Sequence, residues 1–360
     1  MFRTLRNITI NIMAAFIRDR DERHKFRNKY KRRSKFRKLR DDNKRLFLEN
    51  EKLLNAINTL RGRIEDIEKF IFVNRLKPIT YKDTIFHYQT PTVYLSIACI
   101  AKNEGPYIKE WLEYHKIVGV ERFYFYDNES TDNTREVLEP YIADGTVLYK
   151  YVRGKLMQMN VYKDAIYHNM LNTFWMALID LDEFLVPVEK YSLKEILKDY
   201  ERYPGVVVKW VCFDTNGHDN KPTIDGGLVT ANYTRTTKNY NNSINAPFKS
   251  IVRPRFVIDV RGAHHAIYAD NRHAVDENFK EIPTGNESYI NGTVDKIRIN
   301  HYFSKSKEEY LQKINRGNME PFPNKQYTYD NIRYEFKEET IQDFVIQKYL
   351  PKLKLVLGIS

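Results

Sequence analysis

Apolar positions divide the chain into stretches of different period. From Leu46 to Ile71 they recur as Leu46, Asn50, Leu53, Ile57, Leu60, Ile64, Ile67 and Ile71, an unbroken 4-3 alternation. With Leu46 at d, the a positions are Asn50, Ile57, Ile64 and Ile71, and the following d positions are Leu53, Leu60 and Ile67. Ile at a, mostly Leu at d and a single Asn at a predict a parallel coiled-coil homodimer over 41–75. Arg63 at g faces Glu68 at e across such a pair. A single helix laid on the following domain is the alternative.

From about Thr90 the pattern becomes alternating strand and helix. The apolar runs Val93–Ala101, Arg122–Asp127, Val147–Val152 and Phe174–Leu181 predict strands. Tyr107–Lys116, opened by Pro106, Thr131–Tyr141, capped by Ser130 or Thr131, and Val161–Leu171 predict helices. Such β-α-β alternation implies an α/β domain over 90–360 with a mixed, mostly parallel sheet covered by helices. Beyond Gly205 the pattern turns to strands and long loops, with helices expected near Lys307–Arg316 and Thr340–Tyr349. Ligands of such sheets gather beyond the carboxyl ends of the strands. The polar clusters KNEG, DNESTDNT and DLDE follow the first, second and fourth strands.

Charge adds a third region. Residues 1–45 hold 17 Lys+Arg and 5 Asp+Glu, a balance of +12, which is the net charge of all 360 residues. The body is therefore neutral overall, so a nucleic-acid-binding body is not expected, while the basic arm can bind any polyanion. In the arm, roughly 1–40, Leu5, Ile8, Ile12, Ala15 and Phe16 fall at helical spacing, and Phe26, Tyr30 and Phe36 stand among the bases. Bases interleaved with aromatics suit an anionic membrane surface. The apolar run Ile8–Ile17 is too short to span a bilayer and makes a poor leader. Cys99 and Cys212 sit in apolar runs and read as buried free thiols, consistent with a reducing compartment.

The chemistry concentrates in DLDE. Asp180 and Asp182 lie two apart, and in an extended chain they would face one side. Two carboxylates with nothing nearby in the chain to neutralise them call for a cation, and oxygen ligands select Mg2+ or Mn2+. In DNESTDNT, Asp127 ends a strand and can accept from a ribose or base, while Ser130, Asp132 and Thr134 are helix-cap chemistry.

The string SIACIAKNEGPYIKEWLEYHKIVGVERFYFYDNESTDNT resembles the opening of bacterial family 2-like and family 92-like glycosyltransferases. The spaced continuation does so too: Gln158, Trp175, DLDEF, KW-x-x-F, KSIVRP and NHYFSKSKEEYLQKINRG. The resemblance spans about 94–317. It implies a GT-A type fold, a nucleotide-sugar donor and a DXD motif, here Asp180 and Asp182, that carries metal and diphosphate. It places Ala101, Lys102, Asn103, Glu104 and Gln158 with Asp127 at the donor. His301 becomes a metal or phosphate contact, with His264 and His265 as competitors, and Lys249 and Lys305 become diphosphate partners. In WVCFDTNGHDN, Asp214 and Asn216 replace the Gly and Ser usual in the family, which puts the acceptor in doubt.

An inverting transferase needs a carboxylate to deprotonate the acceptor hydroxyl; Glu183 and Asp214 are the candidates. The expected activity is metal-dependent hexosyl transfer, from a UDP-sugar by preference, to a glycan or lipid-linked acceptor in bacterial surface polysaccharide or lipopolysaccharide synthesis. The expected location is cytoplasmic, peripheral on the inner face of the plasma membrane. The rival readings are a membrane-tethered coiled-coil scaffold with an inactive transferase-like domain, and a sugar-nucleotide hydrolase or nucleotidyltransferase.

Overall fold

The computed structural model describes residues 20–29, 52, 91–283, 291–316 and 338–359. The chain falls into two units, Met1–Ile71 and Phe72–Ser360. In the first, residues 20–29 are helical. The Met1–Ile17 helix and the heptads from Leu46 to Ile71, with the dimer they imply, lie outside the described residues.

In the second unit the strands are β1 (Val93–Ala101), β2 (Arg122–Asn128), β3 (Val147–Val152), β4 (Thr173–Leu178), β5 (Glu183–Pro187), β6 (Gly205–Cys212) and β7 (Arg235–Thr237). They continue with β8 (Phe248–Val252), β9 (Val257–Arg261), β10 (His265–Tyr268), β11 (Ala274–Val275), β12 (Glu281–Ile282), β13 (Ile297–His301) and β14 (Thr340–Gln342). The helices are α1 (Gly105–Ile117), α2 (Thr134–Ala143), α3 (Gln158–Asn169), α4 (Leu193–Leu197), α5 (Val229–Asn232), α6 (Lys307–Arg316) and α7 (Leu350–Leu357).

The main sheet runs β12-β11-β6-β8-β4-β1-β2-β3, with β13 paired to β6 and β5 to β13. β4, β1, β2 and β3 are mutually parallel, whereas β8 runs antiparallel to both β4 and β6. The sheet is mixed, as expected. Alternate residues of β1 explain its unbroken apolar run, because both faces are covered. Leu95, Ile97 and Cys99 join Trp111, Leu112 and Tyr114 of α1 in one core. Ala98 and Ile100 join Val161, Tyr162, Ala165 and Ile166 of α3 in the other. Each such large side chain contributes about 1.5–3 kcal/mol on burial. Cys99 and Cys212 are buried and free, as read from the sequence. Among the described residues no helix is long and apolar enough to cross a membrane.

α1 holds the backbone of β5 with three side chains, and so fixes the strand that leaves the DLDE turn. Trp111 Nε1 donates to Glu183 O at 2.8 Å, Tyr114 OH donates to Leu185 O at 3.0 Å, and Leu185 N–H donates to His115 Nε2 at 3.2 Å. The other edge of β5 pairs antiparallel with β13, which sets His301 opposite Glu183.

Several boundaries differ from the sequence reading, among them α3, which runs Gln158–Asn169 and not Val161–Leu171. β4 ends at Leu178, and the chain turns through Asp180–Asp182 before β5. α2 starts at Thr134, with no side-chain cap at Asn133. The Ser130 hydroxyl is engaged elsewhere, accepting from Asn103 N–H at 2.9 Å. Near the C-terminus, Thr340–Gln342 is a strand, drawn out by antiparallel pairing with β7, and the helix is Leu350–Leu357.

Candidate active site

The carboxyl ends of the neighbouring strands β4, β1 and β2 bring DLDE, KNEG and DNESTDNT to one edge of the sheet. Ala101 stands beside Asp127 in strand register. The loops after β1 and β2 are tied together: Asn103 N–H donates to Ser130 Oγ, and Thr131 N–H donates to Asn103 Oδ1 at 2.7 Å. Gly105 N–H donates to Asp132 at 2.9 Å. A Cβ at Gly105 would lie 2.1 Å from Asn133 Oδ1, so any larger residue there would make the Asn133 side chain shift. Asn103 (φ 54°), Glu129 (φ 59°) and Lys305 (φ 51°) are left-handed without being glycine. Such strained residues gather at ligand sites. Asp127 is buried, and its two oxygens accept from Ser130 N–H at 2.9 Å and Tyr149 OH at 2.8 Å. Lys102 and Asn103 are half-buried, and Glu104 is buried where the loop enters α1.

The two aspartates of DLDE do not act as one pair. Because residues 180–182 form a turn and not an extended strand end, their carboxylates meet different partners. Asp180 Oδ1 accepts from Gln158 Nε2 at 2.6 Å and Tyr162 OH at 3.2 Å. Its Oδ2 lies 2.7 Å from Lys249 Nζ. Asp182 Oδ2 lies 2.5 Å from Lys313 Nζ, and its Oδ1 lies 3.7 Å from His301 Nε2. The expectation of two uncompensated carboxylates is thus corrected: each has a lysine, supplied from far along the chain. Burial opposes the charge of Asp182, but Lys313, His301 and Lys305 together hold its carboxyl well below the usual range.

Lys249 and Glu183 close the interior behind this turn. Lys249 is 1% exposed, and its ammonium faces Asp180 and Glu183, not an incoming diphosphate. Burial disfavours its charge, yet Asp180 and Glu183 more than reverse this and raise its pKa. Glu183 is 0% exposed. Its Oε2 accepts from Asp180 N–H at 2.9 Å, and its Oε1 is buried without a hydrogen-bond partner. Burial pushes its carboxyl well above the usual range; Lys249 opposes this, while Asp180 and Asp182 add to it.

His301 is lowered by burial, with Asp182 opposing. Its ring packs on Trp210 at 4.2 Å, and its Nδ1 lies 3.8 Å from Cys212 Sγ. His264 instead hydrogen-bonds Phe248 O through Nδ1 at 2.7 Å, and burial lowers it to about 4. His265 packs on Phe248 in β10. Of the three histidines it is therefore His301 that the structure brings to Asp182. Lys305 is buried, with Nζ 4.1 Å from the centre of the Tyr107 ring. Asp214 is buried, paired with Arg235 Nε at 2.7 Å and accepting from Asn216 N–H at 2.7 Å.

A bound Mg2+ or Mn2+ would fix the distance between its ligands. Two ligands of one octahedral ion with bonds of 2.0–2.1 Å lie roughly 3 Å apart when adjacent and roughly 4 Å when opposite. Asp182 Oδ1 and His301 Nε2, at 3.7 Å, match neither separation and would have to close to about 3 Å to share one ion as neighbours. Asp180 does not join them, because both of its oxygens are engaged. Among the described residues no group of three or more His, Cys, Asp or Glu converges as a cage. Two protein ligands suit an ion completed by water and phosphate oxygens.

Lys313, Tyr162 and Tyr149 were missed from the sequence. Lys313 carries a weak signal, lying in the same NHYFSKSKEEYLQKINRG string as His301; the two tyrosines carry none.

Residues 93–353 match the model of glycosyltransferase family 92, and the chain belongs to that family. It is 27% identical over 174 residues to a glycosyltransferase family 92 protein of Oryza sativa subsp. japonica, covering 47% of this chain and 28% of the relative. It is 26% identical over 126 residues to a galactan beta-1,4-galactosyltransferase of Arabidopsis thaliana, covering 31% of this chain and 24% of the relative. The matched part thus spans about a quarter of these relatives' length. Both are plant proteins and give no support to the bacterial source that the sequence resemblance implied. Among solved structures, residues 1–349 of S. aureus TarS overlap with a TM-score of 0.33 at 14% identity, covering 66% of this chain and 68% of that one.

Proposed function

We propose that this family 92 member is a metal-dependent hexosyltransferase. In this reading it moves a sugar from a nucleotide-sugar donor, a UDP-sugar first among those to test, to a glycan or lipid-linked acceptor. The carrying observation is the convergence of Asp182 and His301 at the sheet edge that also bears the Ala101–Glu104 loop and Asp127. The galactan-building relative is consistent with a glycan acceptor.

Asp182 and His301 would hold Mn2+ or Mg2+, which when bound offsets charge developing on the leaving diphosphate. Asp127, fixed by Ser130 and Tyr149, accepts from the nucleoside. Lys305 faces the diphosphate as a point charge. Gln158, Tyr162 and Lys249 hold Asp180 and so fix the turn that presents Asp182. Of the two candidate bases for an inverting course, Glu183 is sealed inside, and Asp214 is buried with its oxygens engaged by Arg235 and Asn216, so Asp214 would have to release one of these partners to take the acceptor's proton. The test is a panel of UDP-, GDP-, CMP- and TDP-sugars with Mn2+, with and without oligosaccharide acceptors. Acceptor-dependent sugar transfer is the expected result. Nucleotide release that ignores the acceptor would make the protein a hydrolase, and no turnover with any donor would favour the scaffold.

The basic arm and heptads are assigned, in the same reading, to peripheral attachment of a parallel dimer at an anionic membrane, on the cytoplasmic face if the source is bacterial. Each Lys or Arg near such a surface contributes about 1 kcal/mol, screened by salt. Full-length protein is expected to sediment with phosphatidylserine vesicles at low salt and to scatter light as a dimer. A chain shortened to begin at Asp41 is expected to stay in the supernatant. Equal partitioning of the two would remove the arm from this role.

A further inference from the structure

We propose that Lys313 is a catalytic residue whose ammonium contacts the donor's diphosphate beside Asp182, with α6 as the mount that places it. The inference rests on the proposed nucleotide-sugar donor and adds to that site a residue that the sequence did not single out.

The mount is well fixed. Ser306 and Glu309 form a capping box at the start of α6. Glu309 N–H donates to Ser306 Oγ at 3.2 Å, and Ser306 N–H donates to Glu309 Oε2 at 3.0 Å. The same carboxylate accepts from Tyr107 OH at 2.6 Å and Tyr233 OH at 2.5 Å, from α1 and from the residue after α5. Lys313 lies four residues beyond Glu309, hence on the same face of the helix. From there its Nζ reaches Asp182 Oδ2 at 2.5 Å and Phe303 O at 3.1 Å.

Position separates Lys313 from the buried lysine of the site. Lys249 is shut inside at 1% exposure, whereas the Lys313 side chain is 34% exposed. Lys313 therefore approaches Asp182 from the solvent side, where a donor must enter. Lys305 starts the same segment in a left-handed conformation, and its charge also bears on Asp182. One loop-helix unit thus carries the lysine that pairs with the carboxylate proposed to hold the metal and a second lysine whose charge bears on it. Asp182 is buried, so its pairing with Lys313 also serves the fold, and it is the exposed side of the lysine that leaves it open to a ligand. A phosphate oxygen bound next to Asp182 would lie within reach of the flexible lysine stem.

The experiment is isothermal titration of the full-length protein in Mn2+ with UDP and UMP, alongside steady-state kinetics. Lys313→Met keeps the stem and removes the charge. Loss of one charge-assisted hydrogen bond should weaken UDP binding roughly tenfold or more. UMP affinity should stay within about twofold, because the lost contact is to the second phosphate. The thermal midpoint should drop, because buried Asp182 loses its nearest opposite charge, kcat should fall, and Lys313→Arg should restore most of both losses. If Lys313→Met does not stay folded during the titration, Lys313→Gln carries the same comparison. Unchanged UDP affinity in the charge-removing variants would overturn the proposal. If wild-type protein binds none of UDP, GDP, CDP and TDP, the donor reading itself fails and this inference falls with it.

Discussion

Asp182→Asn is expected to fold like the wild type and to lose turnover by about 10²-fold or more, since a metal's charge stabilisation is worth several kcal/mol at the transition state. The amide keeps the size and one acceptor oxygen of the aspartate, so Lys313 and Phe303 retain their places, while the negative charge facing His301 disappears. Mn2+ affinity, read by titration in the presence of UDP, should fall with turnover. Asp180→Asn is expected to behave differently, although the two aspartates are separated by one residue. Asp180 is the counter-ion of Lys249, which is 1% exposed, and removing it leaves a buried ammonium beside Glu183. Breaking a buried pair from one side costs about 3–5 kcal/mol. Asp180 is 32% exposed, so the lower end is expected, about 3 kcal/mol in urea unfolding. Full activity of Asp182→Asn, or full activity in EDTA, would remove Asp182 from metal binding. Equal stability of the two variants would show that Asp180 is no structural counter-ion.

That division of labour within DLDE marks how far the sequence could be read. β1 is where its apolar run puts it, because a run buried on both faces has no freedom to slide; β3 also keeps its expected bounds, although it is an edge strand and mostly exposed. α1 and α6 follow their start signals, Pro106 and the Ser306-x-x-Glu309 box. α2 does not, because two loops compete for one hydroxyl: Ser130 serves Asn103 instead of the helix start, a choice decided by contact between strands far apart in sequence. α7 was legible in principle, with Pro351 at its first turn and Gly358 at φ 69° just past its end. A strand pairing at Thr340–Gln342 displaced the reading by some ten residues. For the site, residue types and order were enough to single out Asp180, Asp182, Gln158 and His301. What they could not supply was pairing. Lys249 and Lys313 lie 69 and 131 residues from their aspartates, and only the closed sheet brings them there. Lys249, expected at the diphosphate, is drawn inward by Asp180 and Glu183, two acids that the sequence reading set at the end of a strand.

His115 ties the stability of this turn to pH. It sits in the last turn of α1, fully buried between Trp111, Tyr114 and Phe184. Leu185 N–H donates to Nε2, so Nε2 must be the bare nitrogen, and Nδ1–H donates to Trp111 O at 2.8 Å. Both ring nitrogens are satisfied only in the neutral form; a second ring proton would face the Leu185 N–H donor to donor. Burial accordingly lowers the pKa from 6.5 to about 3, with the Trp111 carbonyl opposing weakly. The unfolded chain therefore binds a proton between pH 6.5 and about 3 that the folded chain refuses. The stabilisation is complete above pH 6.5 and is lost progressively as pH falls through that window. At 1.36 kcal/mol per pH unit, lowering the pH from 7 to 4 should remove about 3 kcal/mol. Other acids titrate over the same range, so the comparison is with His115→Gln, which offers a donor and an acceptor but does not ionise. Chemical unfolding of both proteins from pH 7 to pH 4 should show the wild type falling more steeply, by about that amount. Parallel profiles would mean that the histidine finds a charged form which the fold tolerates. Because β5 leaves Asp182 directly and is held by His115 through Leu185, acid should cost activity before the global transition. A loss of transfer that tracks the wild type's excess instability, and is absent in His115→Gln, would assign it to this contact.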